Sequence, residues 1–190
     1  MTVLAINGSP RVGGNTSIML EWVLAELTKE GFNTELVESA SEPVQGCVAC
    51  GYCGEARDGT CRFDDSIGQL IPKMAKARAI IMGSPVHFAD LTPWLKALID
   101  RAGFVMLHND NPMRRKPGAA VVVARRAGQV HAYDSINHFF GITEMITVGS
   151  RYWNLGVGLE KGDVKNDAEA RDTMAGLGQN MAWLLKKLAR

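Results

Sequence analysis

The sequence lacks a long apolar run, a strong charge of either sign and an abundance of cysteine, and each absence narrows what the chain can be. No apolar stretch is long enough to cross a bilayer, so no membrane association is expected. The 190 residues carry a net charge of +1, which gives no electrostatic pull toward nucleic acid or an anionic membrane surface. No signal peptide precedes the first apolar segment, so a cytoplasmic location is expected. In a reducing compartment, four cysteines suit ligand or redox roles better than structural disulfides. Internal repeats, low-complexity segments and domain boundaries are also missing. The hydrophobic content of 46% and charged content of 22% are those of an ordinary globular chain, and its length suits one domain spanning residues 1–190. Two familiar phosphate loops are missing as well. There is no G-x-x-x-x-G-K-[ST] and no G-x-G-x-x-G.

What is present begins at the N-terminus. The apolar run Val3-Leu4-Ala5-Ile6 reads as a buried strand. It feeds Asn7-Gly8-Ser9-Pro10-Arg11-Val12-Gly13-Gly14-Asn15-Thr16-Ser17, a polar loop that opens a helix with Leu20, Val23, Leu24 and Leu27 at helical spacing. Such a loop gathers backbone N–H groups and a positive helix end at one point, where an anion is favoured. Ser9, Asn15, Thr16 and Ser17 add neutral donors and Arg11 adds a cation, which suits a terminal phosphate monoester. The same residues would also serve an ordinary strand–turn–helix connection with a capped helix.

Further along, strands are predicted over Phe32–Val37, Ala79–Gly83, Ala119–Ala124 and, more weakly, Thr143–Val148. Helices are predicted from about Ile67 to Lys76 with a kink at Pro72, from Thr92-Pro93, from Val130 to Phe140, and from Asp163 or Asn166 toward Leu188. Ser150 to Gly162 reads as loop. The central strands are short and apolar on both faces, as in a parallel sheet covered on both sides. The pattern predicts an α/β, three-layer, doubly wound five-stranded sheet of flavodoxin-like order 2-1-3-4-5, with its ligand beyond the carboxyl ends of strands 1 and 3. That topology brings Gly8–Ser17, Ser84–Asp90 and Ala124–Gln129 together. Phosphate donors beside backbone amides and flat side chains suit FMN. Ser84-Pro85-Val86-His87-Phe88 supplies those amides and flat side chains. Ala124, Arg125 and Gly128 of the third loop complete the site, although one of Arg125 and Arg126 is expected to be simply solvated and His87 has a plain reading as a surface histidine.

A second feature is the cysteine-rich loop at 39–63. Cys47, Cys50, Cys53 and Cys61 give C-x2-C-x2-C-x7-C, with Gly46, Gly51 and Gly54 allowing the backbone to turn around sulfur atoms. The tight triplet with one outlying partner resembles the wrapping of a cubane cluster. Zinc, which favours separated pairs, and free or redox-switching thiols are the competing readings. Arg57 and Arg62 stand near enough in sequence to offset a cluster's negative charge, or to be plain surface residues.

Taken as a set, Asn7-Gly8-Ser9-Pro10-Arg11, Gly14-Asn15-Thr16-Ser17, the cysteines followed by Asp64-Asp65, Gly83-Ser84-Pro85-Val86 and Leu95-Lys96-Ala97-Leu98-Ile99-Asp100-Arg101 resemble the NADPH-dependent FMN reductase family, most of all its iron–sulfur flavoprotein branch. The resemblance covers roughly the first two thirds of the chain. It implies FMN with its phosphate held by Ser9, Arg11, Asn15, Thr16 and Ser17 and its ring system against Pro85, Val86 and His87, a [4Fe–4S] cluster at the four cysteines, and a homodimer or dimer of dimers. A redox partner such as ferredoxin and NAD(P)H as substrate are implied possibilities. The chain departs from relatives at His87, where they commonly carry tyrosine, at Ala89-Asp90, and at Arg125-Arg126, where they commonly carry glycine. The expected activity is electron transfer or oxidoreduction by a flavin, with no acid–base dyad or nucleophile from the protein. An NAD(P)H-dependent FMN or quinone reductase without a cluster and a thiol redox sensor are the alternatives.

Overall fold

The computed structural model describes residues 2–38 and 43–189; residues 39–42, the start of the predicted cysteine-rich loop, lie outside the described residues. A parallel sheet runs β2-β1-β3-β4-β5, with β1 at Thr2–Asn7, β2 at Asn33–Glu38, β3 at Ala79–Pro85, β4 at Pro117–Ala124 and β5 at Ile146–Thr147. This is the predicted order. Alternating side chains split the sheet's two faces, as strand geometry requires. Leu4, Ile6, Ile80, Met82, Ala120 and Val122 meet α3 (Ser66–Lys76), α4 (Pro93–His108) and α5 (Gln129–Ile142). Val3, Ala5, Ala79, Ile81, Val121 and Val123 meet α1 (Asn15–Lys29) and α6 (Ala168–Leu188). The second layer comes very close at Gly83, where an added Cβ would stand 2.8 Å from both Leu20 Cδ1 and Thr16 Cγ2. The first turn of α1 can therefore lie directly over the sheet.

Three predicted boundaries need correction. The cysteine loop contains a short helix, α2 (Tyr52–Ala56). The fifth strand is not one run over 143–148 but two pieces, because β6 (Leu155–Val157) also pairs in parallel with β4. Three residues including a glycine carry no periodicity of their own, so tertiary pairing makes β6 a strand. The last helix begins at Ala168, capped by Asp167, after a separate 3-10 turn at Asp163–Asn166. Helix α3 runs on through Pro72 as one eleven-residue element.

Asn154 joins the two halves of the split edge. It is fully buried. Its Nδ2 donates to the Ala120 carbonyl (2.9 Å), its Oδ1 accepts from Ser150 Oγ (2.6 Å), and its carbonyl accepts from Val122 N–H (3.0 Å). This sets the register of β6 and so directs residues 158–162 back over the carboxyl end of the sheet. Replacing Asn154 with Ala leaves a buried carbonyl short of a donor. The expected cost is about 1–3 kcal/mol, read as a lower urea midpoint at unchanged m value.

Candidate functional site

At the carboxyl end of β1 the chain turns through a loop held from behind by one carboxylate. Glu38, the last residue of β2, accepts from Asn7 Nδ2 (2.5 Å), Ser17 Oγ (2.5 Å) and Gly13 N–H (3.4 Å). Asn7 Nδ2 also donates to Ser17 Oγ (2.8 Å), and Asn7 Oδ1 accepts from Ser9 N–H (2.9 Å). The structure therefore separates the predicted phosphate donors. Ser9, Arg11, Asn15 and Thr16 line one cleft, whereas Ser17 is fully buried behind it with its hydroxyl proton given to Glu38.

The start of α1 bears on the capped-helix reading of this loop. Helices α3, α4 and α6 are capped by the side chains of Asp65, Thr92 and Asp167. Helix α1 starts at Gly14 with no side-chain cap. Gly14, Asn15 and Thr16 at this start line the cleft, and a helix start without a side-chain cap is an arrangement that favours an anion.

The loop after β6 folds over this point and is the part sequence reasoning missed. Asn15 Nδ2 donates to Glu160 O (2.9 Å), and its Oδ1 accepts from Gly162 N–H (2.8 Å). Arg11 Nη1 donates to Leu159 O (3.3 Å) and Lys161 Nζ to Val12 O (3.0 Å). Gly158 permits the closure, since a Cβ there would stand 2.6 Å from Asn15 Nδ2. Lys161 thus lines the cleft with Arg11 and Arg125, and no carboxylate is among the lining residues. The available signal was position: Lys161 sits in a loop leaving the carboxyl edge, but recognising that edge needed β6.

The same cleft, about 260 Å³, continues along Pro85, Val86, His87, Ala124 and Arg125. Gly128 does not line it. It packs behind, against Val86 and Ala89. The 84–90 loop is a tight hairpin in which His87 N–H donates to Asp90 O (2.8 Å) and Asp90 N–H to His87 O (3.0 Å), while Val86 N–H donates to Val123 O (2.8 Å). Its two tip residues, Phe88 (φ +46°) and Ala89 (φ +67°), are left-handed, and Phe88 is fully exposed. Such two-residue turns favour glycine and asparagine, so this one holds backbone strain beside the cleft. Asp90 anchors its base. Burial opposes ionisation of that carboxyl, but Ser135 Oγ (2.8 Å) and the Leu91 N–H (2.7 Å) bond to it and, with His131 nearby, hold it below the ordinary carboxylate value.

The four cysteines line a second, largely apolar cavity of about 140 Å³ with Phe63, Phe104, Val105, His108 and Arg101. They come together although they span fifteen residues, because α2 and the 58–63 turn both rest on α4. Asn109 Nδ2 donates to Cys53 O (3.3 Å), and its Oδ1 accepts from Gly59 N–H (2.9 Å). Arg62 lines this cavity; Arg57 does not. All four cysteines are unpaired thiols. Burial pushes the Cys53 thiol up. Among the described residues no three histidine, cysteine or carboxylate side chains converge on one ion-sized point.

Solved structures share this architecture. RosB, determined with a bound 8-demethyl-8-formylriboflavin-5'-phosphate intermediate, superposes with a TM-score of 0.78 at 16% identity, over all of this chain and 80% of that one. A flavodoxin from the domain Archaea superposes at 0.62 with 15% identity over 98% and 99%. The fold and the cleft at its carboxyl edge define a flavodoxin-like α/β protein. The sequence profile of the NADPH-dependent FMN reductase family matches residues 1–160, and the chain belongs to that family of flavin-dependent oxidoreductases. An iron-sulfur flavoprotein of Methanocaldococcus jannaschii is 36% identical over the whole of both chains. Another, of Methanosarcina thermophila, is 36% identical over 78% of each.

The strained hairpin gives a direct check. Ala89→Gly removes the cost of a left-handed alanine, an expected gain of about 1 kcal/mol, measured by chemical denaturation. A loss of stability would show that the tip does not hold this conformation.

Proposed function

We propose that the cleft binds FMN, with the phosphate at the uncapped start of α1 and the ring system along Pro85–His87 and Ala124–Arg125. The observation that carries this reading is the juxtaposition of an uncapped helix start with Arg11 and Lys161 in a cleft free of carboxylates. Thr16 and Ser9 stand there as neutral donors. Ser17 and Asn15 act indirectly, the first by tying α1 to Glu38 and the second by holding the 158–162 loop closed.

The four cysteines are read as holders of a [4Fe–4S] cluster. The donor types fit a four-iron cluster, whose ligand sulfurs surround it and do not converge on one ion-sized point: four thiols and no carboxylate line one mostly apolar cavity, and a guanidinium meets one of the sulfurs. FMN, when bound, supplies one- or two-electron exchange and a cluster supplies one-electron exchange. The protein's part is to place each group, exclude water and set the local charge. The relatives' names support the cluster. NAD(P)H is the proposed donor, in keeping with the family's description and with a Bacillus subtilis relative described as a putative NAD(P)H-dependent FMN-containing oxidoreductase, 25% identical over 90% of this chain. Assembly as a homodimer or homotetramer belongs to the same reading. Exposed Phe104, Leu107 and Ile142 on α4 and α5 support it. No helix among the described residues is long and apolar enough to cross a membrane.

Titration of the apoprotein with FMN tests the cleft. Lys161→Ala removes one charge-assisted contact to phosphate, so FMN is expected to bind about tenfold more weakly. An unchanged dissociation constant would remove Lys161 from the site, and a wild-type chain that ignores FMN would sink the reading. For the cysteines, Cys50→Ser is expected to lose iron and sulfide after anaerobic reconstitution while retaining FMN. Iron content equal to wild type would refute the ligand assignment.

A further inference from the structure

Arg101 is a charged residue with a side chain only 1% exposed, and neither flavin binding nor thiol ligation in itself calls for it. It comes from α4, and its guanidinium spends three of its five N–H groups on the cysteine segment and a fourth on Asp65, the cap of α3. Nε donates to Cys61 Sγ (3.3 Å), Nη1 to Gln45 O (3.0 Å) and to Asp65 Oδ2 (2.7 Å), and Nη2 to Phe63 O (2.8 Å). Its planar face lies over the Phe63 ring, 5.4 Å from the centroid. Among the described residues, Cys61 is the one cysteine whose sulfur receives a side-chain hydrogen bond. The four cysteine positions are therefore electrostatically unequal.

We propose that Arg101 is the positioning residue that sets the reduction potential of the group held by the four cysteines, acting through the Cys61 sulfur. This rests on the cluster reading above. A fixed cation donating to a ligand sulfur stabilises the form with more negative charge, which is the reduced one. Asp65 limits the effect. Its carboxylate is 2.7 Å from Nη1, so it offsets part of the guanidinium charge while steering the fork so that Nε faces Cys61. Lysine at 101 keeps the positive charge but has neither the fork nor the Nε–H. Asparagine at 65 keeps the cap on α3, where Asp65 Oδ1 accepts from Gly68 N–H, because asparagine caps as well as aspartate. It removes the negative charge and, at the Oδ2 position, the acceptor for Arg101 Nη1 and Gln45 N–H, while the guanidinium keeps its bonds to the Gln45 and Phe63 carbonyls.

The test is an electron paramagnetic resonance titration with dithionite on the full-length protein, reconstituted anaerobically with iron, sulfide and FMN. Iron, sulfide and FMN contents are assayed in parallel. In Arg101→Lys the ratio of reduced to oxidised cluster at a fixed potential is expected to fall about tenfold, the loss of one hydrogen bond from a charged donor. For a one-electron couple that is a midpoint about 59 mV more negative. In Asp65→Asn the ratio is expected to rise, moving the midpoint the other way. Midpoints of both variants that match wild type at equal iron content, or that move in the same direction as a merely loosened loop would make them, would overturn the proposal. If Arg101→Lys takes up no iron, the Asp65→Asn midpoint decides alone. A wild-type chain that assembles no iron and sulfide defeats the cluster reading and this inference with it, an outcome the iron assay separates from unmoved midpoints.

Discussion

A helix start left without a side-chain cap is the constraint on which the binding edge depends. Four backbone N–H groups at the head of any helix need partners from outside it. In α1 the residues that would normally supply one are committed elsewhere: Ser17 to Glu38, Asn15 to the 158–162 loop. Glycine at position 14 brings no acceptor of its own. The fold thus holds an unmet demand for negative charge at one point, and Glu38 cannot meet it from the cleft side because it stands behind the loop. Arg11 and Lys161 deepen the demand. In the proposed function, the phosphate of FMN meets it.

The sheet was readable from the sequence because its central strands are unbroken apolar runs that only a doubly covered parallel sheet can bury. The loops it brings together followed from topology alone. Side-chain roles were less legible. Ser17 and Thr16 are adjacent and chemically alike, yet helical rotation sends the Ser17 hydroxyl behind the loop and keeps Thr16 in the lining of the cleft, and nothing in their identity tells which. Lys161 stayed hidden because β6 is a strand by virtue of its pairing with β4 and Asn154, a long-range fact. Gly128 was placed in the site by its loop, but its near contacts with Val86 and Ala89 put it one layer back. Arg101 was visible as part of a motif, while its buried contact with Cys61 forty residues away was not.

Helix α4 carries both cavities. At its start Thr92 Oγ1 donates to Gly8 O (2.7 Å), fixing the loop after β1. Nine residues later Arg101 holds the cysteine segment, about 14 Å further along the axis at 1.5 Å per residue. The two cavities share no lining residue, and this one element bonds to the scaffold of both. A helix is stiff over that length. A substitution that bent it between Leu95 and Arg101 would displace one cavity relative to the other without altering a single lining side chain.

The same reasoning explains where the chain keeps its charge. A net charge of +1 hides a strongly uneven distribution: Arg11, Arg125 and Lys161 around one cavity, Arg62 and Arg101 around the other. Carboxylates are kept one layer back, at Glu38 behind the first loop and at Asp65 behind the cysteines. In Asp65 burial works against the charge, but the hydrogen bond from Arg101 and the Gly68 N–H outweigh it and hold its carboxyl below the ordinary value. Each cavity therefore presents cations to its contents and an anion to its own scaffold. That layering lets a pocket attract negative groups while the buried positive charges that shape it remain paired, which is the condition for keeping a guanidinium out of water at all.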